Sequence, residues 1–389
     1  MDISYLLDYD CTDKQRKIVN AVIKHGSSIK AAKALGHGDR YISRTIANLK
    51  KYAAKQGLSP EHDMNHPVPD GFSCKGVSTL YGEDGGIKGQ WVKSTIDAVR
   101  QAEIMQEAIS AMAETIPKAH PVTPPKKVIS DLLNQYTITD YHLGMMAWHE
   151  ETGEDWDTKI AEKLLLDWFA AAIKSAPDAA VGVFAQLGDF LHWDGLDAVT
   201  PANRHILDAD TRFQKVVRVA IRAIRQIIQM LLKKHDQVHI IMAEGNHDMA
   251  SSVWLRELFA ALYENEPRIT VDNSADVYYC YEHGQTCLFY HHGHKRRPAN
   301  IDHVFAAKFR EEFGRTKYAY AHMGHLHHVD LKETTLMVVE QHRTLSAKDA
   351  YASRGGWMSG RDAKVITYSK LHGEVARVNI SPEMVQEAT

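Results

Sequence analysis

The stretch Ala243-Glu244-Gly245-Asn246-His247-Asp248-Met249 follows an apolar run, Val238 to Met242, that reads as a buried strand. The Gly-Asn-His-Asp turn therefore sits at the carboxyl end of a strand, where open α/β sheets bind ligands. On its own such a turn is ordinary loop punctuation. Its meaning depends on what the chain places before and after it.

Four further stretches share that setting. Asp140-Tyr141-His142 follows the strand-like run Gln135 to Thr139, and Gly188-Asp189 follows Ala180 to Leu187. His291-His292-Gly293-His294 closes the run from Cys287, and Gly324-His325-Leu326-His327 follows another strand end. In an extended segment residues i and i+2 point the same way, so Asp140 with His142, and His325 with His327, are expected to offer side chains in pairs. A shared carboxylate, Asp189, with an amide oxygen and several imidazoles makes a mixed N/O site suited to borderline divalent ions, with room for two. Histidine-rich loops are common at surfaces and Gly-Asp is a frequent turn dipeptide. Five such pieces, in this order and each at a strand end, are poorly explained by chance.

The intervening sequence alternates, with helices expected over Thr158 to Lys174, Asp208 to Lys234 and Val253 to Glu264. From Arg268 onward short strands dominate: Val277 to Tyr281, Leu336 to Gln341, Val365 to Tyr368 and Val375 to Ile380. This pattern predicts an α/β domain over 126–389, a mixed two-layer sheet flanked by helices.

Upstream, 13–56 reads as three helices. The first starts at Asp13, read as its N-cap, and stops at His25-Gly26. The second, Ser28 to Leu35, puts Ile29, Ala32 and Leu35 on one face and ends at Gly36-His37-Gly38. The third, Asp39 to about Lys55, turns Ile42, Ile46 and Leu49 inward and Arg40, Arg44, Lys50 and Lys51 outward. Residues 28–36, Tyr41 to Arg44 and Leu49 to Lys51 resemble the helix-turn-helix modules of phage and bacterial DNA-binding proteins. That resemblance implies DNA, or else RNA, as partner, with Ser43 and Arg44 closest to base edges and the lysines on phosphate. The bland alternative is a small bundle with a solvated basic face. The module is taken as 1–57.

A connector, 58–125, follows. Pro60, Pro67 and Pro69 mark a linker, Phe72 to Leu80 and Ile87 to Val92 a β-hairpin, either a wing touching phosphate through Lys75, Lys88 and Lys93 or, more commonly for such a hairpin, one with Val77 and Trp91 packed under a helix, and Thr95 to Ile116 a connecting helix. Its positions Met105, Ile109, Met112 and Ile116 step at heptad spacing, so a homodimer seam is open beside a helix laid on the catalytic body.

Composition sets the outer bounds. The chain has 389 residues, 44% hydrophobic and 24% charged, which suits a soluble globular protein with a large core. No apolar run approaches the roughly 18 residues of a membrane span, and the acidic start with Asp2 and Asp8 is unlike a secretory leader, so a cytoplasmic protein without membrane partner is expected. Cys11, Cys74, Cys280 and Cys287 form no C-x-x-C pair and are expected to be reduced. Residues 14–56 carry eleven Lys or Arg against one acid, Asp39, and the chain's net charge is -3, so a basic module is joined to an acidic body. The 23 histidines, dense between 283 and 328, suggest metal.

The motif order D-x-H, GD, GNHD, His before Gly and G-H-x-H resembles the calcineurin-like metallophosphoesterase family over about 128–342. The tail from Ser353 to Ile380 resembles phage-encoded members, which often carry a helix-turn-helix; a phage origin would place the protein in host cytoplasm. The resemblance implies a metallophosphoesterase-type fold and two divalent ions, Mn²⁺ first, with Fe, Zn, Ni or Mg as alternatives. One ion would take Asp140, His142, Asp189 and His327, and the other Asp189, Asn246, His292 and His325, with Asp189 bridging. His247 would protonate the leaving group, oriented by Asp248. His291, His294 and His328 would stay outside the ligand set. Near the pocket, His192, His205 and Arg212 are expected to reach substrate, with capping by Asp208 and salt bridges of Arg204 and Arg212 as the structural alternative. Lys295-Arg296-Arg297 could hold a nucleic-acid backbone.

The expected function is therefore metal-dependent hydrolysis of nucleic-acid phosphodiesters by a DNA nuclease, exo or endo, targeted by its helix-turn-helix. Its catalytic motifs are similar to those of bacterial double-strand-break repair nucleases. A phosphatase or phosphodiesterase acting on small nucleotides or phosphoproteins fits the motifs too, but leaves the basic module unexplained. A DNA-binding regulator with a vestigial esterase domain is the third possibility, and the full set of ligand positions argues against it.

Overall fold

The computed structural model describes residues 3–8, 11–62, 64–65, 68, 72–82, 85–96, 121–201 and 204–386. They belong to two compact units, Met1–Pro117 and Lys118–Thr389.

In the first unit α1 (Asp13–His25), α2 (Ser28–Leu35) and α3 (Asp39–Lys55) enclose a small core of Ile18, Val19, Ala31, Ala32, Ile42, Ile46 and Leu49. The N-cap of α1 is Thr12, not Asp13. The Thr12 hydroxyl accepts from the Gln15 amide at 3.3 Å while the Gln15 side chain accepts from the Thr12 amide at 2.9 Å, a reciprocal pair that Asp13 in that place could not complete. Ile29 is 65% exposed rather than inward, because Ala31 and Ala32 face the neighbouring helices. Arg40, Ser43, Arg44 and Lys51 are exposed, while Lys50 is ion-paired with Glu61. After the short antiparallel pair β1 (Leu58–Ser59) and β2 (Met64–Asn65) comes the hairpin β3 (Phe72–Tyr81) and β4 (Ile87–Ile96). Trp91, expected to be packed, is 60% exposed on it. Strand β4 claims Thr95, and the rest of the expected connecting helix lies outside the described residues.

The second unit is built on two sheets. The first runs β15 (Gly373–Ile380), β14 (Ala363–Ser369), β5 (Ile129–Ile138), β6 (Ala179–Gln186), β7 (Gln237–Met242), β8 (Ile269–Val271) across its width, parallel from β5 to β8. The second runs β12 (Asp330–Glu333), β13 (Val338–Gln341), β11 (Tyr318–Met323), β10 (Thr286–Tyr290), β9 (Tyr279–His283), with β10, β11 and β13 parallel. Leu133, Val183 and Ile241 of one sheet meet Leu288 and Tyr290 of the other in a buried layer. Helices cover the outer faces. Phe169 of α5 (Thr158–Ser175), which follows the single turn α4 (His149–Thr152), packs on Tyr136 and Phe184, beside α6 (Phe213–Lys234). On the far side Phe305 of α8 (Ile301–Lys308) stacks on Phe289. The unit is thus the mixed two-layer sheet flanked by helices that the alternating pattern predicts. Helix α7 (Met249–Leu262) follows β7, and α9 (Arg310–Arg315), α10 (Ala350–Arg354) and α11 (Pro382–Gln386) complete the set of described helices.

Two helix starts differ from expectation. Helix α6 begins at Phe213, because 208–210 are taken up by the loop after β5: Met146 donates to the Asp208 carbonyl at 2.9 Å and Asp210 donates to the Gly144 carbonyl at 2.9 Å. Asp208 is therefore no cap. Helix α7 begins at Met249, since the Asp194 carboxylate, from another loop, accepts from the Ala250 and Ser251 amides at 2.5 and 2.8 Å. The thiols of Cys280 and Cys287 lie 3.2 Å apart across β9 and β10, hydrogen-bonded and not joined by a disulfide. No described helix is long and apolar enough to cross a membrane.

Candidate metal centre

The loops at the carboxyl ends of β5, β6, β7, β10 and β11 converge. Donor atoms of Asp140, His142 and His327 lie within 4.8 Å of one another, as do those of Asp189, His292 and His325. His292 joins the two groups: its Nε2 is 3.1 Å from Asp189 Oδ2, 3.2 Å from Asn246 Oδ1 and 3.9 Å from Asp140 Oδ1. His327 Nε2 is 3.1 Å from Asp140 Oδ1. All seven residues expected as ligands are in one place.

The backbone that puts them there is not extended. Asp140, His142, Asp189, His325 and His327 have φ of 49°, 48°, 53°, 75° and 54°, and only Arg204 among the other described non-glycine residues has positive φ. The pairing of i with i+2 thus comes from left-handed turns, a conformation that costs of order 1 kcal/mol or more per residue and gathers at functional sites. Cross-loop bonds hold it. Asp140 and His142 amides donate to the Gly188 and Asp189 carbonyls, both at 3.0 Å. The Thr139 hydroxyl and His325 amide donate to Asp140 Oδ2 at 2.6 and 2.8 Å. Two motif glycines allow the close approach: a Cβ on Gly245 would lie 2.0 Å from Asp189 Oδ1, and one on Gly324 would lie 1.8 Å from Thr139 Oγ1.

This arrangement fits a divalent cation. Asp140 Oδ2 is satisfied by donors, whereas its buried Oδ1 receives no well-aligned hydrogen bond and faces the imidazoles of His327 and His292, 3.1 and 3.9 Å away. Burial alone would raise the carboxyls of Asp140 and Asp189, but His327 and His292 beside the first, and His292 and His247 beside the second, hold both below the usual range. Burial lowers His142 and His325, helped by neighbouring imidazoles, so both rings are neutral and open to a metal. His292 goes the other way: burial opposes its charge, yet Asp189 and Asp140 raise it to about 9. Its Nδ1 is 2.9 Å from the Leu187 carbonyl, which fixes Nε2 toward the carboxylates.

His247 lines the same cavity, with Nδ1 2.8 Å from the His192 carbonyl. The hydrogen bonds of the Asp248 side chain go elsewhere than the His247 ring. The buried carboxylate of Asp248 accepts from the amides of Asp189, Phe190, Leu191 and Gly245 at 3.1, 2.7, 3.1 and 3.2 Å, and so shapes the loop that carries Asp189. The His192 ring is buried against His142, Nδ1 to Nδ1 3.2 Å, at the base of the centre and not among the cavity-lining residues. His205 and Arg212 are exposed and do not line the cavity: Ile206, next to His205, pairs with Val199 through an isolated bridge, and Arg212 stands at the start of α6. His291 bonds to the Val277 carbonyl and His328 to that of Leu326, whereas the ring nitrogens of His294 make no hydrogen bond among the described residues and Nε2 lies 4.0 Å from Glu244 Oε1.

The cavity, about 770 Å³, is walled instead by 344–361, including Lys348, Tyr351, Trp357 and Met358. This segment was not expected at the site; its one sequence signal is the turn Gly355-Gly356 between two aromatic residues. A separate buried group, His322, Glu340 and His342, has metal-type donors, but Lys364 and Arg377 already neutralise Glu340, so it reads as an ionic network.

No family model matches the chain, and no curated protein does. Among solved structures, a protein from Streptococcus pneumoniae TIGR4 described as a predicted phosphoesterase aligns with 65% of this chain and 99% of its own, at 10% identity and TM-score 0.27. Vacuolar Protein Sorting 29 from Cryptosporidium parvum aligns with 64% of this chain and 98% of its own, at 12% identity and TM-score 0.30. Phosphopantetheinyl hydrolase from Mycobacterium tuberculosis aligns with 64% and 97%, at 10% identity and TM-score 0.25. At these values they are likenesses only, and the functional reading rests on the side chains.

Proposed function

We propose that the chain is a dinuclear metal-dependent phosphodiesterase of the calcineurin-like type that hydrolyses nucleic-acid phosphodiester bonds, a DNA nuclease delivered by its N-terminal helices. The observation that supports it most is His292 Nε2 between Asp189 and Asp140, with His247 on the same cavity. Asp140, His142, Asp189 and His327 would hold one ion, and Asp189, Asn246, His292 and His325 the other. Divalent ions there supply Lewis acidity toward the phosphoryl oxygens and lower the pKa of an attacking water.

The remaining work falls to the protein. A carbonyl oxygen only accepts, so the bond to His192 puts the proton of His247 on Nδ1 and leaves Nε2 as the atom that gains and gives a proton. Protonated at Nε2, His247 neutralises the departing alkoxide. Asp248 acts one step back, by fixing the backbone of Asp189. In the first unit Arg40, Ser43, Arg44 and Lys51 are exposed to solvent, as DNA contacts require.

Purified protein with Mn²⁺ is incubated with linear DNA, nicked DNA and bis(4-nitrophenyl) phosphate, beside Asn246→Ala and His247→Ala. All three substrates should be hydrolysed, and both variants should be impaired. Hydrolysis of the small ester with DNA left intact favours a small-nucleotide phosphodiesterase; unimpaired variants remove the site. Arg44→Glu should weaken DNA binding at low salt, and unchanged affinity there would leave the helices as a plain bundle.

A further inference from the structure

The part of the cavity wall formed by 347–358 is aromatic, and its charges are balanced. Tyr351 and Trp357 are 70% and 54% exposed, and their rings meet edge to face with centroids 5.1 Å apart. At that exposure both rings keep surface open to solvent, unlike a pair buried in a core. Met358 beside them is 78% exposed. Of the three charged residues of 344–361 that line the cavity, Lys348 donates to Met358 Sδ at 3.5 Å, Asp349 caps α10 by accepting from the Ala352 amide at 2.7 Å, and Arg361 is ion-paired with Glu154 and donates to the Leu345 carbonyl. Lys348 and Asp349 cancel, so this wall neither attracts nor fits the phosphate of a substrate. It fits the flat, uncharged part.

Resting on the phosphodiesterase reading for what occupies the metal-ligand side, the geometry points to Tyr351 and Trp357 as a stacking subsite for a nucleobase of the substrate. The phosphate lies against Asp189, Asn246 and the histidines, and the base attached to it lies against the two rings, with Met358 filling the edge. The cavity of about 770 Å³ holds a nucleotide. Stacking accepts any base, because every base presents a π face, so this subsite selects nucleotides over other phosphate esters without reading sequence.

The test compares adenosine 5′-monophosphate with ribose 5-phosphate, which lacks the base, by calorimetry on the Mn²⁺-loaded protein. The wild type should bind the nucleotide roughly tenfold or more tightly than the sugar phosphate, the scale of one base on one aromatic platform. Tyr351→Ala/Trp357→Ala should bring the two affinities together by weakening only the nucleotide. Equal affinities in the wild type, no binding of either ligand, or a preference that survives the double variant overturns the subsite. A variant that melts lower but keeps the preference shows the pair to be a loop staple, which also overturns it. If bis(4-nitrophenyl) phosphate is not hydrolysed while the Tyr351- and Trp357-dependent preference is present, the phosphodiesterase reading fails and the subsite stands.

Discussion

The Nδ1 atom of His247 lies 2.8 Å from the carbonyl oxygen of His192, two residues from different loops whose pairing fixes which ring nitrogen faces the cavity. His247→Gln keeps an amide donor but cannot pass a proton. It should lower kcat by about 10²- to 10⁴-fold, the usual scale of general acid catalysis, with bound metal unchanged. Rate and metal content measured on the same sample check this, and parallel loss of both would make His247 a ligand.

Asp248 should matter through its four amide partners. Asp248→Asn turns an NH₂ group toward two of them, leaves buried donors unpaired and should cost ~2 kcal/mol or more in thermal or denaturant unfolding. Because those amides belong to Gly245 and 189–191, metal affinity should fall too. A variant with full metal affinity would show that the Asp189 loop holds its shape without the carboxylate.

Gly324→Ala places a methyl group on the Thr139 hydroxyl and near Asp140 Oδ2. The expected outcome is loss of bound metal with the second unit still folded, read by metal analysis beside far-ultraviolet circular dichroism. Retention of the full metal content would contradict the close approach.

His235 precedes β7, at the end of that strand away from the metal loops, and is fully buried between Tyr136 OH, 2.9 Å from its Nε2, and the Ala179 carbonyl, 2.7 Å from its Nδ1. Burial lowers its pKa from 6.5 to about 4 despite the Ala179 bond. A group depressed in the folded state stabilises above its unfolded pKa and loses that contribution as pH falls through the folded value. His235 should therefore contribute up to ~3 kcal/mol that vanishes between about pH 6.5 and 4. Denaturant unfolding at both pH values should show a smaller acid loss in His235→Gln than in the wild type; equal losses would remove His235 as the cause.

Much of this molecule was legible because the chemistry-bearing residues stand directly after apolar runs. Val238 to Met242 and Ala180 to Leu187 are strands to within a residue, and Asn246 and Asp189 follow from them. What escaped depended on distant partners. The start of α6 is set by bonds from Met146 and Gly144, the start of α7 by Asp194, and the role of Asp248 by amides some 58 positions away. The wall at Tyr351 and Trp357 could not be read because no local pattern says which loop closes over which cavity.

The left-handed backbone at Asp140, His142, Asp189, His325 and His327 narrows what can ever stand there. Asp, Asn and His are the side chains that tolerate this conformation best, and each also carries a metal donor on a short stem. Glu or Cys could supply the atom but resists the turn; Gly accepts the turn but supplies nothing. The vocabulary of the centre is thus restricted twice, once by the ion and once by the peptide, and the second restriction holds before any ion arrives.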